Sequence, residues 1–328
     1  MRAPDFWGPG RTSFSGRSMA ALLSPLGHVY GAVTASRARR PAAWEAPVPV
    51  ICVGNAVMGG AGKTQVAIDL AGRLTRAGKT PHILTRGYGG RFNGTVRVDP
   101  ETHTADDVGD EALLLAEHAP VWRGADRVRD AQAACDAGAG VIVMDDGFQN
   151  PALAKTLNLL VVDGDYGFGN GRVFPAGPLR EPVESALARA GAAVVIGGDA
   201  DALGLPASLP LFRASVRPAT AAAGLSGKTA IAFAGIGRPE KFFRTLADAG
   251  VTLAATHAFA DHHAFRPDEL KPLIAAANDA GAVLVTTAKD IVRVPGDLRT
   301  HVTPFPVQLA WEDERALESF ILEQSGLN

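Results

Sequence analysis

Six consecutive residues, Gly59-Gly60-Ala61-Gly62-Lys63-Thr64, have the types and order needed to bind a polyphosphate. Glycines let backbone N–H groups come close to phosphate oxygens at a helix N-terminus. Lys63 is placed to reach β- and γ-phosphates, and the Thr64 hydroxyl to hold Mg²⁺. The spacing departs from GxxxxGK[ST], whose first glycine falls at Val57; the chain offers Gly54 and then Gly59-Gly60. The expected ligand is ATP–Mg²⁺, against the bland alternative of an ordinary glycine turn.

Acids form the second group. Asp145-Asp146 closes the apolar run GVIVM, which is where a strand would present carboxylates to Mg²⁺ beside the loop. An Asp-Gly turn at Asp146-Gly147 is the alternative. Asp110-Glu111 opens a predicted helix, where acids also complement the helix dipole, so composition alone assigns them no chemistry. Asp261-His262-His263 suggests a base oriented by a carboxylate, with a metal site or a polar surface loop as rivals. Arg180-Glu181 ends a Gly/Pro-rich stretch; the arginine faces phosphate or makes a surface ion pair.

These residues need elements to hold them. Residues 48–53 (VPVICV) read as a buried strand, 63–77 as a helix ending at Gly78, and 81–85 as the next strand. That is the β-loop-α-β opening of a parallel sheet, with Arg86-Gly87-Tyr88-Gly89-Gly90 as a loop at the second strand's end. Helices are predicted over 110–117 and 127–136, and strands over 140–144, 157–162 and 192–196. A loop over 164–182 is long enough to be functional or mobile. After residue 215 the pattern restarts with a strand at 229–234, helices at 239–249 and 267–280, and strands at 282–287 and 302–309.

The 328 residues predict two domains, and 47% hydrophobic residues suffice for their cores. A net charge of −2 gives no global basic field for nucleic acid. Cys52 and Cys135 lack metal-ligand spacing and read as reduced cytoplasmic thiols. Residues 19–35 are mostly apolar, interrupted by Pro25 and His28 and followed by Arg37, Arg39 and Arg40. The run is short for a membrane span, which needs ~20 apolar residues. Arg11 and Arg17 precede it and Val33-Thr34-Ala35 mimics a cleavage site, but the phosphate loop follows at once, so a signal peptide is disfavoured. An amphipathic helix lying on a membrane and a helix packed on the protein's own core both remain.

The variant loop resembles the GGxGKT loop of partition ATPases and dethiobiotin synthetases, with Met58 where those ATPases carry a lysine. The full ordered set resembles one family more closely, the tetraacyldisaccharide 4′-kinases. The set comprises Gly54-Asn55 with the phosphate loop, Thr85-Arg86-Gly87-Tyr88-Gly89-Gly90, Val108-Gly109-Asp110-Glu111 and Asp145-Asp146-Gly147-Phe148-Gln149. It continues with Phe168-Gly169-Asn170-Gly171, the stretch Pro175-Ala176-Gly177-Pro178-Leu179-Arg180-Glu181, Ala234-Gly235-Ile236-Gly237, Ala260-Asp261-His262 and Thr287-Ala288-Lys289-Asp290. Departures are Ala61 for Ser or Thr, Thr85 for Ser, Ala112 for Pro and Ala288 for Glu.

The resemblance implies an α/β fold: a P-loop NTPase-like parallel sheet flanked by helices, a second, smaller α/β domain and an N-terminal amphipathic helix. The corresponding units are residues 1–40 (membrane-associated), 41–215 (kinase core) and 216–328 (closing over the nucleotide cleft). It implies transfer of ATP's γ-phosphoryl to the 4′-hydroxyl of a tetraacylated glucosamine disaccharide 1-phosphate, a lipid A precursor, at the cytoplasmic face of the bacterial inner membrane. By the same resemblance Gly54, Asn55, Gly59, Gly60, Ala61, Gly62, Lys63, Thr64 and Glu111 contact the nucleotide. Thr64, Asp145 and Asp146 hold Mg²⁺. Asp110 paired with His262 is the base, Glu111, Arg180 and Glu181 line the reacting centre, and Lys63 and Arg180 stabilise charge. The expected state is a monomer with no nucleic-acid partner. Two other classes share the loop: a membrane-cycling partition-type ATPase, opposed by Met58, and a dethiobiotin-synthetase-like ligase, which leaves residues 216–328 unexplained.

Overall fold

The computed structural model describes residues 4–10 and 13–327; Arg11 lies outside them. The strands in chain order are β1 (Val50–Gly54), β2 (Pro81–Thr85), β3 (Val96–Arg97), β4 (Val121–Arg123), β5 (Val141–Asp145), β6 (Leu157–Asp163) and β7 (Ala192–Ile196). They continue as β8 (Leu211–Pro218), β9 (Thr229–Ala234), β10 (Thr252–Ala258), β11 (Val283–Thr287), β12 (Thr303–Phe305) and β13 (Val307–Trp311). Two sheets result. The larger runs β13-β8-β7-β6-β1-β5-β2-β4-β3 and the smaller β10-β9-β11-β12. Among the strand pairs of the described residues, only the edge pairs β13/β8 and β3/β4 are antiparallel.

The central strands β1, β5 and β7 are buried along their whole length, as their continuous apolar sequences require of parallel strands covered on both faces. The Lys63–Arg76 helix follows β1 and packs its buried Val66, Ala67, Leu70, Ala71 and Leu74 on the sheet. Because the strands are parallel, the carboxyl ends of β1, β5 and β6 share one edge, which is where ligands bind in open α/β sheets. The smaller sheet is wholly parallel too, so the loops after β9, β10 and β11 also share an edge.

The expected extension of the smaller unit to residue 328 differs from the structure. Pro306 cannot donate a ladder hydrogen bond, and the run predicted as one strand over 302–309 breaks there. Thr303–Phe305 closes the smaller sheet, while Val307–Trp311 returns to the larger one beside β8. The Glu314–Gln324 helix follows it, burying Leu317 and Ile321 in the large core.

The N-terminal helix spans Phe14–Ala38 and is capped by Ser13, whose hydroxyl accepts from Gly16 N–H at 3.2 Å. Its sidedness is one of size. Small residues Ala20, Gly27, Gly31 and Ala35 face inward, and at Gly27 a Cβ would lie 2.7 Å from the Val173 carbonyl oxygen. Large apolar side chains, among them Phe14, Leu22, Leu26, Val29 and Val33, face outward. Among the described residues no helix is long and apolar enough to cross a membrane.

Candidate active site

The chain leaves β1 at Gly54, where a Cβ would stand 2.4 Å from that of Phe148. The turn that follows enters the Lys63 helix through Gly62, whose φ of 88° lies in the left-handed region that a side chain disfavours. The N–H groups of Gly59, Gly60, Ala61 and Gly62 meet no acceptor among the described residues, so the loop is a cradle of free donors. Lys63 is buried, its Nζ 3.5 Å from the Gly59 carbonyl and 3.7 Å from Asp146 Oδ1. Thr64 follows in the first helical turn. Asn55 is fully buried; its Nδ2 donates to the Gly59 carbonyl at 3.4 Å and its Oδ1 is unpartnered.

Asp145 ends β5 in register with Val53, which sets it beside this cradle. It is 1% exposed and its Oδ1 has no hydrogen-bond partner. Burial first, then the negative charges of Glu111 and Asp146, push its carboxyl up to about 7. A buried carboxylate short of positive charge is the donor a cation would satisfy. Asp146 has the opposite surroundings. Burial raises its pKa, but Lys63 and Arg180 outweigh it and hold the group below the ordinary carboxylate range. Arg180 grips both its oxygens, Nη1 at 2.7 Å and Nη2 at 3.0 Å, so Asp146 faces an arginine fork while Asp145 keeps a free oxygen.

The Gly/Pro-rich stretch that delivers Arg180 is tied to the phosphate loop. Met58 N–H donates to the Pro178 carbonyl and Arg180 N–H to that of Ala56, each at 2.7 Å. Glu181 is fully buried and accepts from Arg189 at 2.7 Å and from Gln149 Nε2 at 3.0 Å. Gln149 Nε2 also donates to the Asn55 carbonyl at 2.8 Å. Glu181 therefore belongs to a buried network beneath the loop.

A second cluster joins the two sheets. Asp110 opens the Asp110–Ala116 helix after Gly109, whose Cβ would strike the Tyr88 carbonyl oxygen at 2.7 Å. Asp110 Oδ1 accepts from Glu111 N–H at 2.9 Å. Its Oδ2 stands 3.0 Å from His262 Nδ1, 3.5 Å from Arg293 Nε and 4.0 Å from Lys289 Nζ. Burial raises the Asp110 pKa, yet the His262 bond and the Lys289 charge bring it below the ordinary range. Burial lowers that of Lys289, and Glu111 and Asp110 more than offset it. Lys289 Nζ donates to Glu111 Oε1 at 3.1 Å and lies 3.4 Å from His262 Nε2.

His262 itself is held with φ 57°, its N–H donating to the Gly235 carbonyl at 3.0 Å. Glu111 links the clusters, since its charge is felt at Asp145. The adjacent acid Asp261 comes only within 3.9 Å of His262 Nε2; the carboxylate that meets Nδ1 is Asp110. His263 turns away to Glu269 at 2.9 Å, and among the described residues no group of three or more His, Cys, Asp or Glu is arranged to hold a metal.

Two clusters thus gather the expected residues: Lys63, Asp145, Asp146 and Arg180 at the loop, with Glu181 behind it, and Asp110, Glu111 and His262 between the sheets. Reading the sequence gave no role to Lys289, Arg293 or Gln149. Lys289 and Gln149 lie within motifs already noted, but nothing local signals contacts with Asp110 or Glu181, which are far away in the chain.

Comparison with known proteins gives one answer. A family model described as tetraacyldisaccharide-1-P 4′-kinase matches residues 19–325. The tetraacyldisaccharide 4′-kinase of Rhodospirillum centenum is 52% identical over 98% of this chain and 96% of that protein. The enzyme of the same name from Gluconacetobacter diazotrophicus is 54% identical over 98% of this chain and 97% of that protein. The crystal structure of LpxK from Aquifex aeolicus in complex with ATP superposes with a TM-score of 0.74 at 26% identity, covering 93% of this chain and 99% of that one.

Proposed function

The chain belongs to the tetraacyldisaccharide 4′-kinase family, and from that premise we propose how its residues divide the work of phosphoryl transfer. It is an ATP-dependent kinase of lipid A biosynthesis, acting on the 4′-hydroxyl of a tetraacylated disaccharide 1-phosphate. The observation that carries the division of roles is the Asp110–His262 pair, 3.0 Å apart where the two sheets meet, with Asp110 buried and His262 half-buried, beside a cradle of free N–H groups.

The Gly59–Gly62 amides and Lys63 receive the β- and γ-phosphates, with Gly54 and Asn55 shaping the turn beneath them and Glu111 closing the side toward Asp145. The 4′-oxygen bonds to the γ-phosphorus as the bond to the β,γ-bridging oxygen breaks, and ADP leaves. The hydroxyl proton passes to the Asp110–His262 pair, an assistance worth ~10²–10⁴-fold. Lys63 and Arg180 face the charge on the transferring group, and Glu181 fixes Arg180 through Gln149. Thr64 and Asp145 would hold Mg²⁺, since Asp145 keeps an unpartnered oxygen, and Asp146, which Arg180 grips in this structure, would be the further carboxylate ligand. When bound with the nucleotide, Mg²⁺ neutralises charge on the β- and γ-oxygens. Because the base pair draws one member from each sheet, closure of the sheets over the nucleotide completes the site and excludes water.

The membrane is the second partner. The outward apolar side chains of the Phe14–Ala38 helix, followed by Arg37, Arg39 and Arg40, suit the surface of an anionic bilayer on its cytoplasmic side, where an acylated substrate is reached.

Purified protein, ATP–Mg²⁺ and the acylated disaccharide 1-phosphate should give a bis-phosphorylated product. Intact ATP binding without product refutes the reading. Deleting residues 1–36 should release the protein from anionic vesicles, and a truncated protein that still sediments with them moves the anchor elsewhere.

A further inference from the structure

The phosphate loop is flanked on both sides. Toward β5 lie Asp145 and Asp146 with Arg180; toward β6, the other neighbour of β1, lies Asp163 with two cations from the smaller sheet. Those cations, Arg238 and Lys241, sit at the start of the Pro239–Asp248 helix, just after the turn that leaves β9. Asp163 is a fixed anchor. It is buried, and its Oδ1 accepts from the N–H groups of Asp165 at 3.0 Å and Tyr166 at 3.1 Å. Its Oδ2 takes Arg238 Nη2 and, at 3.2 Å, Lys241 Nζ. Burial pushes the Asp163 carboxyl up, but the two cations hold it below the ordinary range, so the anchor stays charged.

Arg238 does something Lys241 does not. Its Nη2 also donates to the carbonyl oxygen of Gly60 at 3.3 Å, and its guanidinium lies over the Tyr166 ring, 5.7 Å from the centroid. A peptide unit is planar and trans, so its C=O and the following N–H point in opposite directions. Drawing the Gly60 carbonyl toward Arg238 therefore turns the Ala61 N–H the other way. That N–H is one of the loop donors without an acceptor. A glycine pair has no Cβ to fix its own peptide planes, so an outside hydrogen bond has large leverage here.

We propose that Arg238 is a positioning residue for phosphate binding: anchored on Asp163, it holds the Gly60–Ala61 peptide with its N–H turned into the cradle. This rests on the reading of Gly59–Thr64 as the ATP phosphate site and adds to it a contact reaching across from the smaller sheet. The ligand feature it serves is the β-phosphate, which ATP and ADP place in the loop and AMP does not.

The test uses the full chain with ATP and the acylated disaccharide, adding ADP and AMP as inhibitors against ATP. Arg238→Ala should raise the KM for ATP and the inhibition constant of ADP about tenfold, the effect of losing a charge-assisted hydrogen bond. The inhibition constant of AMP should stay within twofold. Lys241→Ala shares the Asp163 anchor but not the Gly60 contact, and should leave the KM for ATP within twofold. If thermal unfolding shows the alanine variant to be unfolded, Arg238→Met, which keeps an unbranched side chain without a donor, carries the same expectations. An unchanged ATP KM in a folded Arg238 variant overturns the proposal. An equal rise in Lys241→Ala also overturns it, because Arg238 would then only help fasten the two sheets. Failure of the wild-type chain to bind ADP would instead overturn the phosphate-loop reading.

Discussion

Asp145 and Asp110 are two carboxyl groups with almost no exposure, 1% and 4%, yet their surroundings drive them in opposite directions. Asp145 ends a strand of the large sheet with one oxygen unpartnered and two acids for neighbours, and its proton is held up to about 7. Asp110 is met by His262, Lys289 and Arg293 from the smaller sheet and stays ionised below the ordinary carboxylate range. The first region holds Lys63 and Arg180, but they pair with Asp146 and leave an oxygen of Asp145 unpartnered. The second is complete in itself, but only while the two sheets are together. Under the proposed division of roles a kinase would gain from this arrangement: Asp145 would meet its cation together with the nucleotide, and Asp110 would be oriented toward the acceptor by residues of the smaller sheet.

The comparison is broken most severely by removing the second acid. Asp110→Ala should cut turnover by about 10³-fold, within the range expected for a positioned base, and leave ATP affinity within a few-fold. Steady-state kinetics and direct nucleotide binding measure the two separately. A matching loss of ATP binding would mean that the regions do not act apart; near-wild-type turnover would remove Asp110 from the chemistry.

A smaller effect tests the unsatisfied acid. The Asp145 pKa in the fold, about 7, exceeds its unfolded value of ~3.9, so between these pH values the folded state binds more protons than the unfolded one. Stability therefore falls as pH rises across that window. In nucleotide-free protein with chelator, Asp145→Asn should be more stable than wild type at pH 8, by roughly 2–4 kcal/mol. The gain should shrink toward zero as pH falls to ~4, and it should disappear with ATP–Mg²⁺ present. Urea titrations across this range check it, and a variant less stable than wild type at pH 8 would contradict the picture.

The two regions were not equally legible in the sequence. The loop, β1 and β5 declare themselves locally: unbroken apolar runs, glycines at left-handed positions, and a Lys-Thr pair opening a helix. Asp110 does not, because an acid in a first helical turn already has a reason to be there. Its partners Lys289 and Arg293 come from far along the chain, and no periodicity encodes such a contact; only the resemblance to a family pointed to Asp110 and His262 together. Strands at or next to the sheet edges were missed for a related reason. β10 alternates exposed and half-buried small or polar residues, and β4 has three residues, so neither shows a clear apolar run. The outward face of the Phe14–Ala38 helix was legible as an apolar stretch, but which residues point inward was not, because that choice rests on glycines meeting Val173.

The smallest effect has the opposite sign to that at Asp145. The folded-state pKa of Asp110 is depressed, so its stabilisation is fully present above the unfolded value and is lost as pH falls through the folded one. Asp110→Asn keeps the size of the side chain and an acceptor for His262 but removes the charge that Lys289 and Arg293 face. It should destabilise the protein by about 1–3 kcal/mol at pH 7, because Lys289 and Arg293, which keep Glu111 and Asp290, lose one of the two carboxylates they face. Below the unfolded value of ~3.9 the unfolded wild-type chain takes up the proton before the folded one does, and the deficit should narrow. Urea unfolding of both proteins at pH 7 and in acid reads the difference. A deficit that stays constant across this range would trace to lost packing, and the contrast between a charge-satisfied and a charge-starved carboxylate would then fail on the Asp110 side alone.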